Sequence, residues 1–219
     1  MGPLRKIVCA DGFRKTRFHD EKGNLLPPDQ LRHLPRNLVY TTRRLATGRL
    51  PELPWITFDA IERLSEVLMP GWRMVEFGSG MSTAWYAGRV AQVHTIEDDP
   101  FWYRRVAASA PADVRCELRQ GSSYWDLSEY EDGCLDVVVV DGSHRAECVR
   151  SALPKLGPGG WLFLDNSDKD MSTGGRGDLR RAEAALFDGV RDRGGHTEQA
   201  TGLTVGRLIA QQWLLAQLR

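Results

Sequence analysis

Residues 73–83 read RMVEFGSGMST, and this stretch decides the fold. Its first five residues are mostly apolar and predict a buried strand. Gly78 and Gly80 follow, and they allow a tight turn whose backbone a ligand can approach closely. Ser82 and Thr83 then open a helix, because their hydroxyls satisfy free backbone N–H groups. A strand, a glycine turn and a helix in this order form the nucleotide-binding unit of doubly wound α/β folds.

The residues around the glycines indicate which nucleotide is bound. A dinucleotide fingerprint requires a third Gly or Ala where this chain has Thr83. The segment EFGSG, residues 76–80, instead resembles motif I of the class I S-adenosylmethionine (SAM) methyltransferases. In that family the acid lies near the methionine portion of SAM, and the turn lies against the ligand. The resemblance implies a set of SAM-binding residues, namely Glu76, Gly78, Ser79, Gly80, Ser82 and Thr83. The alternative for this stretch alone is an ordinary βα turn without a ligand.

The rest of the chain alternates helices and strands. Helices are predicted over 56–69, 82–90, 101–108, 145–153 and 178–193, and further strands over 93–97, 114–118, 135–140 and 161–164. A glycine turn is predicted at 157–160, and a closing hairpin at 196–201 and 205–215, with a helix over 209–218 as the alternative. This order predicts a Rossmann-like, doubly wound, mostly parallel sheet with a C-terminal antiparallel hairpin, the class I methyltransferase fold.

Composition divides the chain into two parts. Residues 1–50 carry eleven Lys/Arg and four Asp/Glu, a balance of +7, whereas residues 51–219 carry 18 basic and 25 acidic residues, a balance of −7. Residues 1–50 contain too few large apolar residues for a core of their own, so they are predicted to be a basic extension or cap on a SAM-binding domain spanning 51–219. We expect the basic charge to be solvated or packed on the acidic body rather than to bind nucleic acid.

Cysteine spacing and hydropathy exclude several classes of protein. The four cysteines, Cys9, Cys116, Cys134 and Cys148, form no CxxC pair and read as reduced thiols. No apolar run approaches the ~20 residues of a membrane span. The apolar stretch at 7–10 is too short for a signal peptide. We therefore expect a cytoplasmic protein without a membrane partner.

Two later strand ends complete the predicted SAM site. Glu97 lies 19 residues after Gly78, where an acid can accept hydrogen bonds from both ribose hydroxyls. Asp98 is assigned to the same site. The alternative for both acids is to stabilise the start of the next helix. Gly121 and Ser122 follow the third strand, where the family usually holds the adenine edge, although Ser122 replaces the acid often found there.

Two further segments resemble the family's later motifs. Residues 136–141, DVVVVD, resemble motif IV, which ends in an acid beside the reacting methyl group. Residues 156–165, LGPGGWLFLD, resemble motif V, a glycine turn before a strand that ends in an acid. The ordered set of motifs spans residues 55–210 and is more specific than any one of them.

Acids at adjacent strand ends suggest a metal. Asp141 and Asp165 with Asn166 would offer two carboxylates and an amide oxygen, a hard-oxygen set suited to Mg²⁺. The pattern resembles metal-dependent O-methyltransferases of the catechol and macrolide-sugar types, in which a metal lowers the pKa of the substrate hydroxyl. The alternative is that these are ordinary strand-end acids. The charged residues 168–170 would contact the substrate or supply a further ligand, with solvation as the more common role of such a cluster.

The predicted catalytic residues are Asp141 and His144. His144 lies three residues after Asp141, where catechol-type enzymes carry a lysine base, and an imidazole can accept a hydroxyl proton near neutral pH. Its alternative role is to cap the following helix. The aromatic residues Trp55, Tyr124 and Trp125 would flank the adenine or an acceptor ring, or simply pack.

The function expected from these features is SAM-dependent O-methylation of a small-molecule or sugar hydroxyl. The implied cofactors are SAM and a Mg²⁺ ion, and a homo-oligomer is the expected partner arrangement. Three alternatives stay open: an RNA or protein methyltransferase docking through residues 1–50, a metal-independent N-methyltransferase, and a non-catalytic SAM-binding partner subunit.

Overall fold

Seven strands form one sheet in the computed structural model, which describes residues 12–170 and 177–219. The strand order is β3-β2-β1-β4-β5-β7-β6. The strands are β1 (Arg73–Phe77), β2 (Gln92–Glu97), β3 (Val114–Leu118), β4 (Leu135–Val140), β5 (Leu156–Leu164), β6 (Gly195–Leu203) and β7 (Ala210–Leu218). The first five are parallel, and β7 runs antiparallel to both β5 and β6. This is the predicted doubly wound sheet with its closing hairpin.

Helices cover both faces of the sheet. They are α1 (Leu34–Thr47), α2 (Phe58–Val67), α3 (Met81–Ala87), α4 (Pro100–Ala107), α5 (Arg145–Ala152) and α6 (Asp178–Arg193). Strand β4 shows why both faces are apolar: Val138 and Val140 pack with α5 and α6, while Val137 and Val139 pack with α2 and α3. An unbroken valine run is what a central parallel strand requires. No helix of the described residues is both long and apolar enough to cross a membrane.

Two sequence predictions are corrected by the structure. Residues 157–160 are not a turn before the strand but part of β5. Leu135 pairs with Leu156 and Val137 with Trp161, so the glycine segment is an irregularity within the ladder. A side chain at Gly157 would meet the Gly133 carbonyl oxygen at 2.7 Å, so glycine serves a close backbone approach here. The helical alternative for 209–218 is wrong, because this segment is β7.

The segment before α2 packs against the β6–β7 hairpin. A 3₁₀ helix (Pro28–His33) leads into α1, and Leu26 joins a buried cluster with Phe58 and Leu203. Arg14 donates from Nε to the Ala210 carbonyl at 3.2 Å. The described part of the basic segment therefore shares a core with the main body. Cys9 and residues 171–176 lie outside the described residues.

Candidate active site

Two glycines bring the ends of β1 and β4 together. Gly78 has φ +94°, and a Cβ atom placed on it would lie 2.5 Å from the backbone nitrogen of Gly142. A Cβ on Gly142 would lie 2.0 Å from the Tyr124 hydroxyl and 2.9 Å from the Gly78 Cα. These adjacent strands lead to opposite halves of the sheet, so the contact lies at the topological switch point where such folds bind ligands. Gly80 has an extended backbone and more space around it.

Glu97 is held against the glycine turn. Its side chain lies at the carboxyl end of β2 and is buried. Oε2 accepts hydrogen bonds from the Ser79 nitrogen at 2.6 Å and the Ser79 hydroxyl at 2.9 Å. Oε1 accepts from the backbone nitrogens of Asp98 and Asp99, at 3.1 and 2.9 Å. Burial raises the pKa of Glu97, and these hydrogen bonds oppose that shift by stabilising the carboxylate.

Glu76 lies beneath the turn. Its fully buried carboxylate accepts hydrogen bonds from the hydroxyls of Ser82, at 2.5 Å, and Thr83, at 2.7 Å. Burial raises the pKa of Glu76 to about 7, while both hydroxyls lower it. The three side chains predicted to bind SAM are thus bound to one another and tie β1 to the start of α3.

The residues predicted to border the adenine edge of SAM, Gly121 and Ser122, are exposed. Gly121 has φ +59° and begins the 3₁₀ turn Gly121–Ser123, which places Ser122 on the surface. Tyr124 directly follows and is fully buried, with its ring 5.7 Å from that of Phe77. Tyr124 therefore packs in the core rather than against a ligand.

A second group of predicted residues meets at the ends of β4 and β5. Asp141, Asp165 and Asn166 line one cavity of about 260 Å³. Its other lining residues are Trp55, Arg145, Lys169, Thr204, Arg207 and Gln211. The sequence-based expectation that these two acids and the amide lie side by side is confirmed.

Arg145 links the two strand ends. Its guanidinium donates to the backbone carbonyls of Asp141 and Asp165, and it lies 3.2 Å from Asp141 Oδ1. The Asp165 side chain is buried, and its Oδ1 atom has no hydrogen-bond partner among the described residues. Burial and the neighbouring Asp141 charge raise the pKa of Asp165 well above its usual range.

The donor atoms suit a hard cation, but a lysine already uses one of them. Lys169 Nζ donates to Asn166 Oδ1 at 2.5 Å. Burial and the Arg145 charge lower the pKa of Lys169. The unpartnered Asp165 Oδ1 fits a divalent ion, whereas Asn166 would bind one only after Lys169 moves away.

His144 lies beside this cavity rather than in its lining. It has φ +49° at the start of α5, is exposed, and its ring centroid is 4.9 Å from that of Trp125. It lines a neighbouring cavity of about 450 Å³, which shares Arg145 and Lys169 with the first. The structure therefore brings Asp141 and Asp165 together and leaves His144 one cavity away.

Sequence reasoning missed the cations of the site. Of the two roles considered for residues 168–170, solvation is not observed, because Asp168 and Lys169 are not exposed. Asp168 accepts hydrogen bonds from the backbone nitrogens of Gln212 and Glu21, both at 3.0 Å. The missed signal was the proximity of Lys169 to the end of β5, four residues after Asp165.

Comparisons with known proteins agree with this fold. Residues 75–167 match the family model of a methyltransferase domain. No curated protein matches the chain. Three similar solved structures are O-methyltransferases, and their identities of 13–20% make the likeness one of fold.

The first, from Streptomyces achromogenes and in complex with SAM, is 20% identical, with a TM-score of 0.59 over 83% of this chain and 88% of that one. The second, from Bacillus cereus and in complex with SAH, is 13% identical, with a TM-score of 0.60 over 88% and 92%. The third, from Thermotoga maritima, is 14% identical, with a TM-score of 0.54 over 82% and 71%.

Proposed function

We propose that this chain, a SAM-dependent methyltransferase of the class I fold, methylates a hydroxyl group of a small molecule or sugar. The observation that carries the proposal is the placement of carboxylates on both sides of the Gly78–Gly142 contact. Glu97 lies on one side, against the glycine turn, and Asp141 and Asp165 lie on the other, around a cavity. A site for the methyl donor, SAM, and a site for the methyl acceptor would then meet at the switch point.

The donor half would bind SAM through the glycine turn. The ribose hydroxyls would donate to Glu97, taking the place of the Ser79 hydroxyl that now donates to Oε2. Asp98, Gly121 and Ser122 would border the adenosine. Glu76 would act from below the turn, because its carboxylate is already bound by Ser82 and Thr83.

The acceptor half would align and deprotonate the hydroxyl. The acceptor oxygen attacks the sulfonium methyl carbon, the C–S bond breaks, and S-adenosylhomocysteine (SAH) leaves with the electron pair on sulfur. Alignment in the cavity next to Asp141 supplies most of the rate enhancement, since the sulfonium is already a strong donor. His144 is the proposed acceptor of the hydroxyl proton, from the cavity adjoining Asp141.

The proposal also includes a metal ion that would assist the methyl transfer. Asp141, Asp165 and Asn166 would hold a Mg²⁺ ion once Lys169 leaves the Asn166 amide oxygen. Such an ion would lower the pKa of the acceptor hydroxyl. A metal-independent reaction is the competing proposal, and the charges of Lys169 and Arg145 beside the two acids favour it.

Calorimetric titration with SAM, repeated with Mg²⁺ and with EDTA, tests both the proposed function and the role of the metal ion. SAM binding is expected in the micromolar range. A heat signal from Mg²⁺ that disappears in Asp165→Asn would support the metal-assisted reaction, and binding unaffected by either addition would support the metal-independent one. If SAM does not bind, the proposed function is wrong.

Glu97→Gln tests the donor site directly. The variant removes the carboxylate that would accept hydrogen bonds from two ribose hydroxyls. SAM affinity should therefore fall about 10- to 100-fold, because hydrogen bonds to a charged group contribute ~1.5–3 kcal/mol. The control is Asp99→Asn, two residues away, where the side chain accepts from the Phe101 and Trp102 nitrogens and caps α4. The control should keep SAM affinity and lose little stability, because Asn is also a favoured N-cap residue. Equal dissociation constants for Glu97→Gln and the unaltered protein would remove the ribose assignment.

A further inference from the structure

Among the described residues, the Arg207 side chain has no hydrogen-bond acceptor, unlike the other two cations that line the cavity. It is exposed at the cavity that Asp141 and Asp165 line, and its guanidinium donates to no residue within 12–170 and 177–219. Its guanidinium carbon lies over the Trp55 ring, 4.5 Å from the ring centroid. The other lining cations are engaged, since Arg145 binds the strand ends and Lys169 binds Asn166. Arg207 thus keeps its N–H donors for a ligand.

The charge of the lining also favours an anion. Two acids, Asp141 and Asp165, face three bases, Arg145, Lys169 and Arg207, which leaves one excess positive charge. Moving a proton from Lys169 to Asp165 would leave this balance unchanged. Arg207 is exposed, but partial desolvation by the atoms around it, followed by the like charges of Arg44 and Arg14, lowers its pKa. Arg44 adds to the positive potential that an anion would meet, whereas Arg14 is paired with Glu21 and Asp168.

The turn that carries Arg207 is fixed by α1. Asn37 is fully buried and donates to the carbonyls of Thr204, at 3.1 Å, and Arg207, at 2.7 Å. It also accepts from the Gly206 nitrogen at 2.9 Å. Arg44 Nε donates to the Gly206 carbonyl at 2.9 Å. The backbone under Arg207 is thus ordered before any ligand arrives, which reduces the entropic cost of binding.

We infer that the methyl acceptor carries an acidic group, a carboxylate or a phosphate, and that Arg207 binds this group at the mouth of the cavity. The inference rests on the proposed function, because it specifies the substrate class of the same site. A guanidinium binds either anion through two parallel hydrogen bonds. Asp141 and Asp165 repel an anion deeper inside, so the acidic group stays at Arg207 while the hydroxyl points toward the acids.

Calorimetry on the SAH-saturated protein tests this with three matched probes: phenol, benzoate and phenyl phosphate. At least one of the two anions should bind about tenfold more tightly than phenol, and the preferred one identifies carboxylate or phosphate. Arg207→Gln should abolish the preference, and Arg207→Lys should retain part of it. The matched control is Arg105→Gln, an exposed arginine 5.6 Å from the Trp102 ring and outside the cavity, which should keep the full preference.

Three outcomes would overturn the inference: no probe binds, phenol binds as tightly as both anions, or Arg207→Gln keeps the preference. SAM titration of the same preparations separates this failure from that of the proposed function. SAM binding without an anion preference refutes the acidic acceptor alone, whereas absent SAM binding refutes both.

Discussion

Glu76 holds its position by two hydroxyl hydrogen bonds inside the core. Its carboxylate joins the end of β1 to the first turn of α3, so it orders the glycine turn between them. The sequence resemblance suggested a place near the methionine portion of the ligand. The buried position explains how an acid can matter to such a site by orienting the turn.

Replacing Glu76 by Gln should change the pH dependence of stability. The folded pKa of about 7 exceeds the ordinary value of 4.5, so the folded protein holds the Glu76 proton more tightly than the unfolded chain does. The associated stability is complete below about pH 4.5 and is lost as pH rises through 7. Gln carries no charge to bury and should escape this loss.

Denaturant unfolding at pH 5 and pH 8 measures the effect. Relative to the unaltered protein, Glu76→Gln should gain roughly 2–3 kcal/mol more at pH 8 than at pH 5, as expected for a carboxyl group whose pKa rises from 4.5 to about 7 on folding. Glu131→Gln, at an exposed position, serves as the control and should show no such gain. An equal difference at both pH values for Glu76→Gln would show that the carboxylate is not protonated in the fold.

Part of the candidate site could be predicted residue by residue. Glu97, Asp141 and Asp165 follow directly from predicted strand ends, because parallel strands bring their carboxyl ends to one edge. Arg207 could not be found in this way. It reaches the cavity from a hairpin turn whose position depends on Asn37, 170 residues earlier in the chain.

At the scale of elements, the contact between the β1 and β4 turns determines which glycines are essential. Gly78→Ala places a Cβ 2.5 Å from the Gly142 nitrogen at φ +94°, so it should cost more than ~2 kcal/mol of stability and weaken SAM binding. Gly80 is the matched control in the same motif, since its backbone is extended and its added Cβ would approach Ser82 Oγ no closer than 3.6 Å. Gly80→Ala should be well tolerated.

Urea unfolding and SAM titration of both variants provide the measurement. A similar loss in the two variants would show that backbone entropy, rather than the contact with Gly142, explains the glycines. Equal tolerance of both would show that the two turns can move apart without cost.

How well each strand or helix can be predicted from the sequence depends on how it is buried. β3, β4 and α6 have the predicted bounds, because apolar residues alternate with charged ones in β3, run almost continuously in β4 and form a helical stripe in α6. The glycines at 157–160 were misread as a turn. Glycine permits a turn and a close backbone approach equally well, and only the position of Gly133 distinguishes them.

At the scale of the whole molecule, the basic N-terminal segment raises the question of domain number. The division into a cap, 1–50, and a SAM-binding domain, 51–219, stays a prediction, as does the homo-oligomer. The described part of the cap shares a buried cluster with the main body through Leu26. If the two parts unfold together, damage to that cluster should destabilise the entire protein.

The substitution Leu26→Ala tests this coupling, and Leu25→Ala at the neighbouring position is its control. Leu26 is 4% exposed and Leu25 is 62% exposed, so the same substitution removes core packing in one case only. Leu26→Ala should cost ~2–4 kcal/mol in a single unfolding transition, and Leu25→Ala should cost little. Two separate transitions in Leu26→Ala, followed by circular dichroism and tryptophan fluorescence, would indicate that the cap unfolds independently.

The position of β7 has a consequence for how the chain folds during translation. Ribosomes produce β5, then β6, then β7, yet β7 lies between the other two in the sheet. Until residues 210–218 emerge, β6 lacks its partner and the edge of β5 stays open. Such edges pair readily with other chains. The speed of translation between the end of β5 and the end of β7, residues 165–218, therefore sets how long the edge of β5 is exposed to aggregation.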